Sequence, residues 1–253
     1  MTPSAFHTHT TFCDGKNTPE EMVEEAIRLG CREIGFSGHS HVPFDPGYCM
    51  SPEGEKEYRK AVLALKEEYR DKIKVFLGIE QDYYAALPDF PYDYIIGSVH
   101  YVKKDGVYIS VDDTPAVMEN GIREHYAGDA YALAEDYFQN VADLYAKTHC
   151  NIIGHFDILT KYNQNDRFFD TRHPRYAAAY RKALEALFRT DCTFEINTKK
   201  LPGGAREFPE ADIQALLRAA GRRIIYSSDC HIKDDLLYAI PENYDNYANI
   251  RFS

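Results

Sequence analysis

Two histidines, His7 and His9, follow a short apolar start, and Asp14 lies a few residues further on in Cys13-Asp14-Gly15. In an extended strand, side chains at i and i+2 share a face, so the two imidazoles converge on one point. Neutral imidazole is the commonest protein ligand for a metal ion. One such pair is weak evidence, and repetition is what gives it weight. Further short apolar runs deliver His39, Glu80, His100, His155 and the Asp229-Cys230-His231 segment. The candidate ligand set is therefore His7, His9, Asp14, His39, Glu80, His100, His155, Asp229 and His231.

That many nitrogen and oxygen donors exceed the roughly four that one tetrahedral ion takes. They suit two to three divalent transition-metal ions, with Glu80 and Asp229 as bridging carboxylates and hence catalytic residues. Paired ions roughly 3.5–4 Å apart are typical of phosphate-ester hydrolases. One ion lowers the pKa of a bound water, while the others neutralise the phosphoryl oxygens and the leaving alkoxide. No Ser or Cys nucleophile is then required, and neither a Gly-x-Ser-x-Gly elbow nor a P-loop is present. Mixed His and carboxylate donors accept Zn, Fe or Mn without selecting among them. Cys13 and Cys230 adjoin proposed ligands, but the neighbouring donors are nitrogen and oxygen. The six cysteines form no Cys-x-x-Cys pair and read as reduced, mostly buried thiols. A non-catalytic metal scaffold is the competing class. It would need a closed site and gives no reason for phosphate-directed basic residues beside the ions.

The elements that must position these residues alternate. Strands are expected at 4–9, 31–37, 74–79, 92–99, 151–154, 193–197 and 223–227. Helices are expected at 18–29, 51–69, 114–124, 130–148, 173–188, 209–219 and 234–239, with a hairpin over 101–109. Short apolar strands alternating with helices imply parallel pairing with right-handed crossovers. The candidate ligands then fall at strand C-terminal ends, the face on which active sites of parallel barrels sit. No linker or composition break divides the chain, so 1–253 reads as one domain.

Phe6-His7-Thr8-His9-Thr10, Gly35-Phe36-Ser37-Gly38-His39, Gly78-Ile79-Glu80, Ile96-Gly97-Ser98-Val99-His100, Ile153-Gly154-His155 and Ser228-Asp229-Cys230-His231 together resemble the PHP (polymerase and histidinol phosphatase) superfamily. Ile-Gly-Ser-Val-His, Glu195-Ile196-Asn197-Thr198 and the chain length resemble its monofunctional histidinol-phosphate phosphatases. The resemblance implies a distorted (β/α)7 TIM-like barrel and a trinuclear site that hydrolyses L-histidinol phosphate in histidine biosynthesis. It assigns His7, His9, Glu80 and Asp229 to one ion, with Glu80 bridging to a second held by His100 and His155. Asp14, His39 and His231 would hold the third. Arg206 resembles the family's phosphate-clamping Arg, and Lys161 is a second candidate. Relatives often carry a basic residue where this chain has Asn151, and Lys199 and Lys200 replace small residues. Another phosphomonoester (a nucleotide, sugar phosphate or phosphotyrosine) is the alternative substrate.

His41, two residues past His39, is a candidate substrate contact or general acid, against a solvated loop histidine. His125 and His149 read as surface groups and His173 as part of a helix start. Tyr101 and Tyr162 lie near enough to proposed ligands to line a pocket. A net charge of −11 repels a phosphate backbone and argues against nucleic-acid partners. No apolar run approaches the roughly 20 residues of a membrane span, and no signal-peptide pattern opens the chain. A cytoplasmic location is expected, with oligomeric state left open.

Overall fold

The start of the first helix shows how local sequence sets the frame. Thr18 Oγ1 accepts from the Glu21 amide at 3.2 Å, and the Glu21 carboxylate accepts from the Thr18 amide at 2.8 Å. This reciprocal cap satisfies two amides that the helix leaves without partners. In the computed structural model, which describes residues 3–242, 244–250 and 252, the outermost residues of the 1–253 span lie outside the description. The elements run β1 (Ser4–Ala5), α1 (Pro19–Arg28), β2 (Glu33–Phe36), α2 (Pro52–Glu68), β3 (Lys74–Asp82) and β4 (Tyr94–Ser98). Next come β5 (Tyr101–Lys104), β6 (Val107–Ser110), α3 (Pro115–His125), α4 (Ala130–Thr148), β7 (Ile152–Ile153) and α5 (Pro174–Leu187). The last are β8 (Thr193–Asn197), β9 (Lys200–Leu201), β10 (Gly204–Ala205), α6 (Ala211–Ala219) and β11 (Ile224–Ser227).

Seven strands form one sheet in the order β1-β2-β3-β4-β7-β8-β11, parallel at every step. The ring is drawn together where Thr8 bridges Cys230 in parallel and the His9 amide donates to the Cys230 carbonyl at 3.0 Å. Between β1 and β11 the buried Asn246 side chain bridges the strands. Its Nδ2 donates to the Ser4 carbonyl at 3.0 Å and the Tyr226 carbonyl at 2.7 Å, while Oδ1 accepts from the Tyr226 amide at 2.8 Å.

Phe6, Tyr94, Ile96, Ile152 and Ile225 pack together although several come from strands that are not neighbours, so they fill the inside of the ring. Each such burial stabilises by about 1.5–3 kcal/mol. Tyr94 reaches the carbonyls of Phe6 (2.7 Å) and Phe36 (3.0 Å). Gly35 and Gly78 make room for it, since a Cβ at either would meet Tyr94 atoms at 2.4 Å. Two larger apolar clusters lie between the sheet and the helices.

The expected barrel is observed, with local corrections. Regular pairing of the first strand stops at Ala5, so His7 and His9 sit on an extension held by the Thr8 bridge. β3 runs three residues beyond its expected end and carries Glu80 within it. The β9–β10 ribbon was not expected. The helix expected over 234–239 is a 3-10 turn at Lys233–Asp235.

Candidate metal centre and its cavity

The extension after β1 brings two imidazoles to the same pair of carboxylates. His7 Nε2 lies 3.2 Å from Glu80 Oε2 and 3.5 Å from Asp229 Oδ1. His9 Nε2 lies 3.4 Å and 3.0 Å from those same atoms. The loop after β2 brings His39 Nδ1 to 2.9 Å from Glu80 Oε2. The ends of β4 and β7 place His100 Nε2 and His155 Nε2 at 3.4 Å and 2.9 Å from Glu80 Oε1. Glu80 is thus ringed by five imidazoles. The loop after β11 supplies Asp229 and His231. His231 Nδ1 donates to the Asp229 carbonyl at 2.9 Å, which turns Nε2 to within 3.2 Å of Asp14 Oδ2.

All nine sequence-nominated ligands are therefore brought together. Four groups have ligand atoms within 4.8 Å of one another: His9, Asp14, His39 and His231; His7, His155 and Asp229; His7, His9 and Glu80; His39, Glu80 and His100. Compared with the division the resemblance implies, His9 also joins the Asp14 group, and His39 also reaches Glu80.

Whether these residues fit metal ions can be tested on their unsatisfied atoms. His7 Nε2, His9 Nε2, Asp14 Oδ1, Glu80 Oε2 and Asp229 Oδ1 are all buried without a hydrogen-bond partner. Each such atom costs about 1–3 kcal/mol when left unmet. Their convergence from several strands on one point is what cations would satisfy, so the donor set fits.

Both central carboxylates and His9 carry the charge state a metal ligand needs. Burial opposes ionisation of Glu80, but His39, His7, His100 and His155 hold its pKa well below the usual carboxylate range. Asp229 behaves likewise, with Lys199 and His7 outweighing its burial. Burial and the charges of His231 and His39 lower His9 to about 3, leaving a neutral ring with a free lone pair. His7 and His100 run the other way: the carboxylates around each outweigh its burial and raise its pKa, so a bound cation would have to displace that proton.

Two acidic residues behind the ligands were not nominated from the sequence. Glu195, fully buried on β8, accepts from His7 Nδ1 at 2.6 Å, from the His155 amide at 2.7 Å and from Ser227 Oγ. This contact turns His7 Nε2 inward and raises its basicity as a ligand. Asp82 accepts from His100 Nδ1 at 3.1 Å and orients that ring in the same way. The signals were present. Asp82 is two residues past Glu80, and Glu195 is a charge inside the apolar run Thr-Phe-Glu-Ile-Asn.

The ligands open into a cavity of about 470 Å³. Lys199, 2.7 Å from Asp229 Oδ2, and Lys161, bonded to the Asp112 carbonyl at 2.6 Å, both line it. Arg206 does not. Its guanidinium donates to the Lys161 carbonyl (3.2 Å) and to Glu210 (3.3 Å), and it lines a separate hollow beside β9–β10. His41 is also absent from the lining. Its Nδ1 donates to the Met50 carbonyl at 3.0 Å. Tyr101 lines the cavity, whereas Tyr162 does not and instead donates to the carbonyl of Asp113, which does. His173 caps α5, accepting from the Arg175 amide. Asn151 accepts from the Ile95 amide at 2.7 Å, a strand-joining contact.

A parallel seven-stranded ring with clustered imidazoles and carboxylates at its strand ends defines a class of metal-binding α/β barrel. The chain belongs to the PHP domain family, whose profile matches residues 5–199. A histidinol-phosphatase of Bacillus subtilis is 25% identical over 261 residues, spanning 92% of this chain and 95% of its own. A candidate histidinol phosphatase from Listeria monocytogenes has a TM-score of 0.80 at 22% identity, covering 97% of this chain and 100% of that one. The histidinol phosphate phosphatase of Lactococcus lactis, complexed with zinc, L-histidinol and phosphate, has a TM-score of 0.65 at 24% identity, covering 91% and 86%. These structural likenesses establish the fold. Among the described residues, no helix is long and apolar enough to cross a membrane.

Proposed function

We propose that this chain, acting as one domain over 1–253, hydrolyses L-histidinol phosphate to L-histidinol and inorganic phosphate. The observation that carries the reading is a cluster of nine metal-type donors, five of them with an unmet buried ligand atom, that opens into a cavity lined also by two lysines. The curated B. subtilis relative bears the corresponding name. L-Histidinol and phosphate, bound in the L. lactis structure, are the two products of that hydrolysis.

His7, His9, Asp14, His39, Glu80, His100, His155, Asp229 and His231 would hold two to three divalent ions, of which Zn, Fe and Mn all suit the donors. Such ions supply positive charge for the phosphoryl oxygens and acidify the attacking water. The chain's own groups do the rest. Glu195 and Asp82 hold the Nδ1 protons of His7 and His100, keeping Nε2 of each ring turned inward. Lys199 and Lys161 neutralise the phosphate from the cavity wall. Asp229, ionised, would bind an ion through Oδ1, which has no hydrogen-bond partner, while Lys199 holds its Oδ2.

The phosphate clamp supports keeping a second reading, a different small phosphomonoester, because Lys199 stands in the cavity while Arg206 stands outside it. The net charge of −11 disfavours a polynucleotide in either case. The test is phosphate release by the zinc- or manganese-loaded protein, with and without chelator. L-Histidinol phosphate is expected to be turned over much faster than para-nitrophenyl phosphate, nucleotides, sugar phosphates or phosphotyrosine. Equal rates on all of them would sink the substrate assignment. No turnover of any ester by metal-loaded protein would leave the scaffold class standing.

A further inference from the structure

The roof of the metal cavity is a loop, residues 41–50, that the strand–helix repeat does not dictate. Its base is pinched shut. The Met50 amide donates to the His39 carbonyl at 3.1 Å, and His41 Nδ1 donates to the Met50 carbonyl at 3.0 Å. Its two arms are tied where the Val42 amide meets Cys49 Sγ at 3.2 Å. Its crown leans on the β5–β6 hairpin. The Phe44 ring stacks on Tyr108 with centroids 3.6 Å apart and planes within 3°, and meets Tyr101 edge-on at 4.9 Å. The Tyr101 hydroxyl donates to Asp45 at 2.8 Å.

This bracing holds Tyr48 over the ligands. Its ring stands edge-on to His39 at 4.8 Å and to His100 at 6.2 Å. Tyr48 lines the cavity, and its buried hydroxyl makes no well-formed hydrogen bond among the described residues; its polar neighbour is the Tyr101 hydroxyl, which already donates to Asp45. Burying a hydroxyl without a partner is unfavourable. A loop fixed at its base, arms and crown cannot bring a better acceptor to it, which leaves that place to something the cavity binds. A phenol hydroxyl titrates at about pH 10 and is neutral at physiological pH. It is therefore a neutral donor, able to face an anion without repelling cations below it.

Resting on the phosphatase reading, we propose that Tyr48 Oη donates a hydrogen bond to a phosphoryl oxygen of the bound ester. It would be a third donor to the phosphate, from the roof, alongside Lys161 and Lys199 from the walls. The neighbouring His41 then serves the same end indirectly, by closing the base of the loop that carries Tyr48.

The test is Tyr48→Phe, which removes only the hydroxyl. Metal content and melting temperature are expected to match the wild type. Affinity for inorganic phosphate, measured by calorimetry on the metal-loaded protein, and kcat/KM for L-histidinol phosphate are each expected to fall about 10- to 100-fold. Unchanged phosphate affinity in the variant, with a wild type that binds phosphate and cleaves the ester, would overturn the role of Tyr48. So would loss of bound metal in the variant, because it would make the ring a support for His39 instead. A metal-loaded wild type that neither binds phosphate nor cleaves the ester would overturn the phosphatase reading itself.

Discussion

The floor and the roof of the cavity are built by different rules. The floor is made at strand ends, where the parallel ladder fixes each Cα against its neighbours. Ile79 pairs with Ile95, Glu80 with Ile96, and Ile96 with Ile152. A ligand there is placed by backbone geometry shared with every strand beside it. The roof and walls come from the loop 41–50, the β5–β6 hairpin and the segment around β9–β10. Each is placed by side-chain contacts of its own, such as Phe44 on Tyr108 or Lys161 on Asp112. Strand ends and the short segments just beyond them thus supply the metal chemistry, and the longer irregular segments decide what enters and how it is held.

Experiments can break or sharpen this contrast. The largest effect is expected at the floor. Glu80→Gln alters the group between five imidazoles and should lower kcat/KM by roughly 10³-fold, with loss of bound metal measured by elemental analysis. Equal, modest losses at every ligand would contradict a central Glu80. One layer back, Glu195→Gln should cost about 10- to 100-fold in metal affinity or activity, because one neutral acceptor oxygen replaces two charged ones and cannot serve both His7 Nδ1 and the His155 amide. Metal titration followed by activity would check this, and an unaltered metal affinity with full activity would make Glu195 a packing residue only. On the wall, Lys199→Met should cost about tenfold or somewhat more in kcat/KM, with Lys199→Arg recovering part of it. Smallest of these, Arg206→Ala should change kcat/KM by less than about threefold, since its guanidinium serves Lys161 and Glu210. A loss larger than that of Lys199→Met would return the clamp to Arg206 and show that the β9–β10 segment moves when substrate binds.

The same division explains what the sequence could tell. The barrel was legible because each strand is a short apolar run between helix signals, such as the Thr18 cap. The nine ligands were legible because strand ends turn linear position into spatial position. His7 and His155 are far apart in the chain, yet both reach the surroundings of Glu80. Roof and wall residues have no such rule. Arg206 was nominated by its resemblance to a phosphate-clamping Arg, yet its segment forms a small ribbon that carries it past the cavity. His41 was nominated because it follows His39 by two residues, but the loop turns its ring onto the Met50 carbonyl. Tyr48 was one tyrosine among 20, and only the folded loop distinguishes it. Glu195 sits between these cases. Its placement follows from β8, but its role requires knowing that His7 Nδ1 lies across the ring.

Asn246 has a consequence for how the protein is made. β1 is the first strand to be synthesised and β11 the last, and the clamp between them is made later still. Until residue 246 is available, the edge carrying His7 and His9 meets the edge carrying Asp229 through the Thr8–Cys230 bridge without the side-chain clamp behind it. Closing the ring and completing the set of donors for the ions are therefore one event, late in the life of the nascent chain. An Asn246→Ala variant should then take up metal more slowly on refolding, as followed by metal-dependent activity over time. Hydrogen exchange should also quicken at the Tyr226 amide, which loses its acceptor.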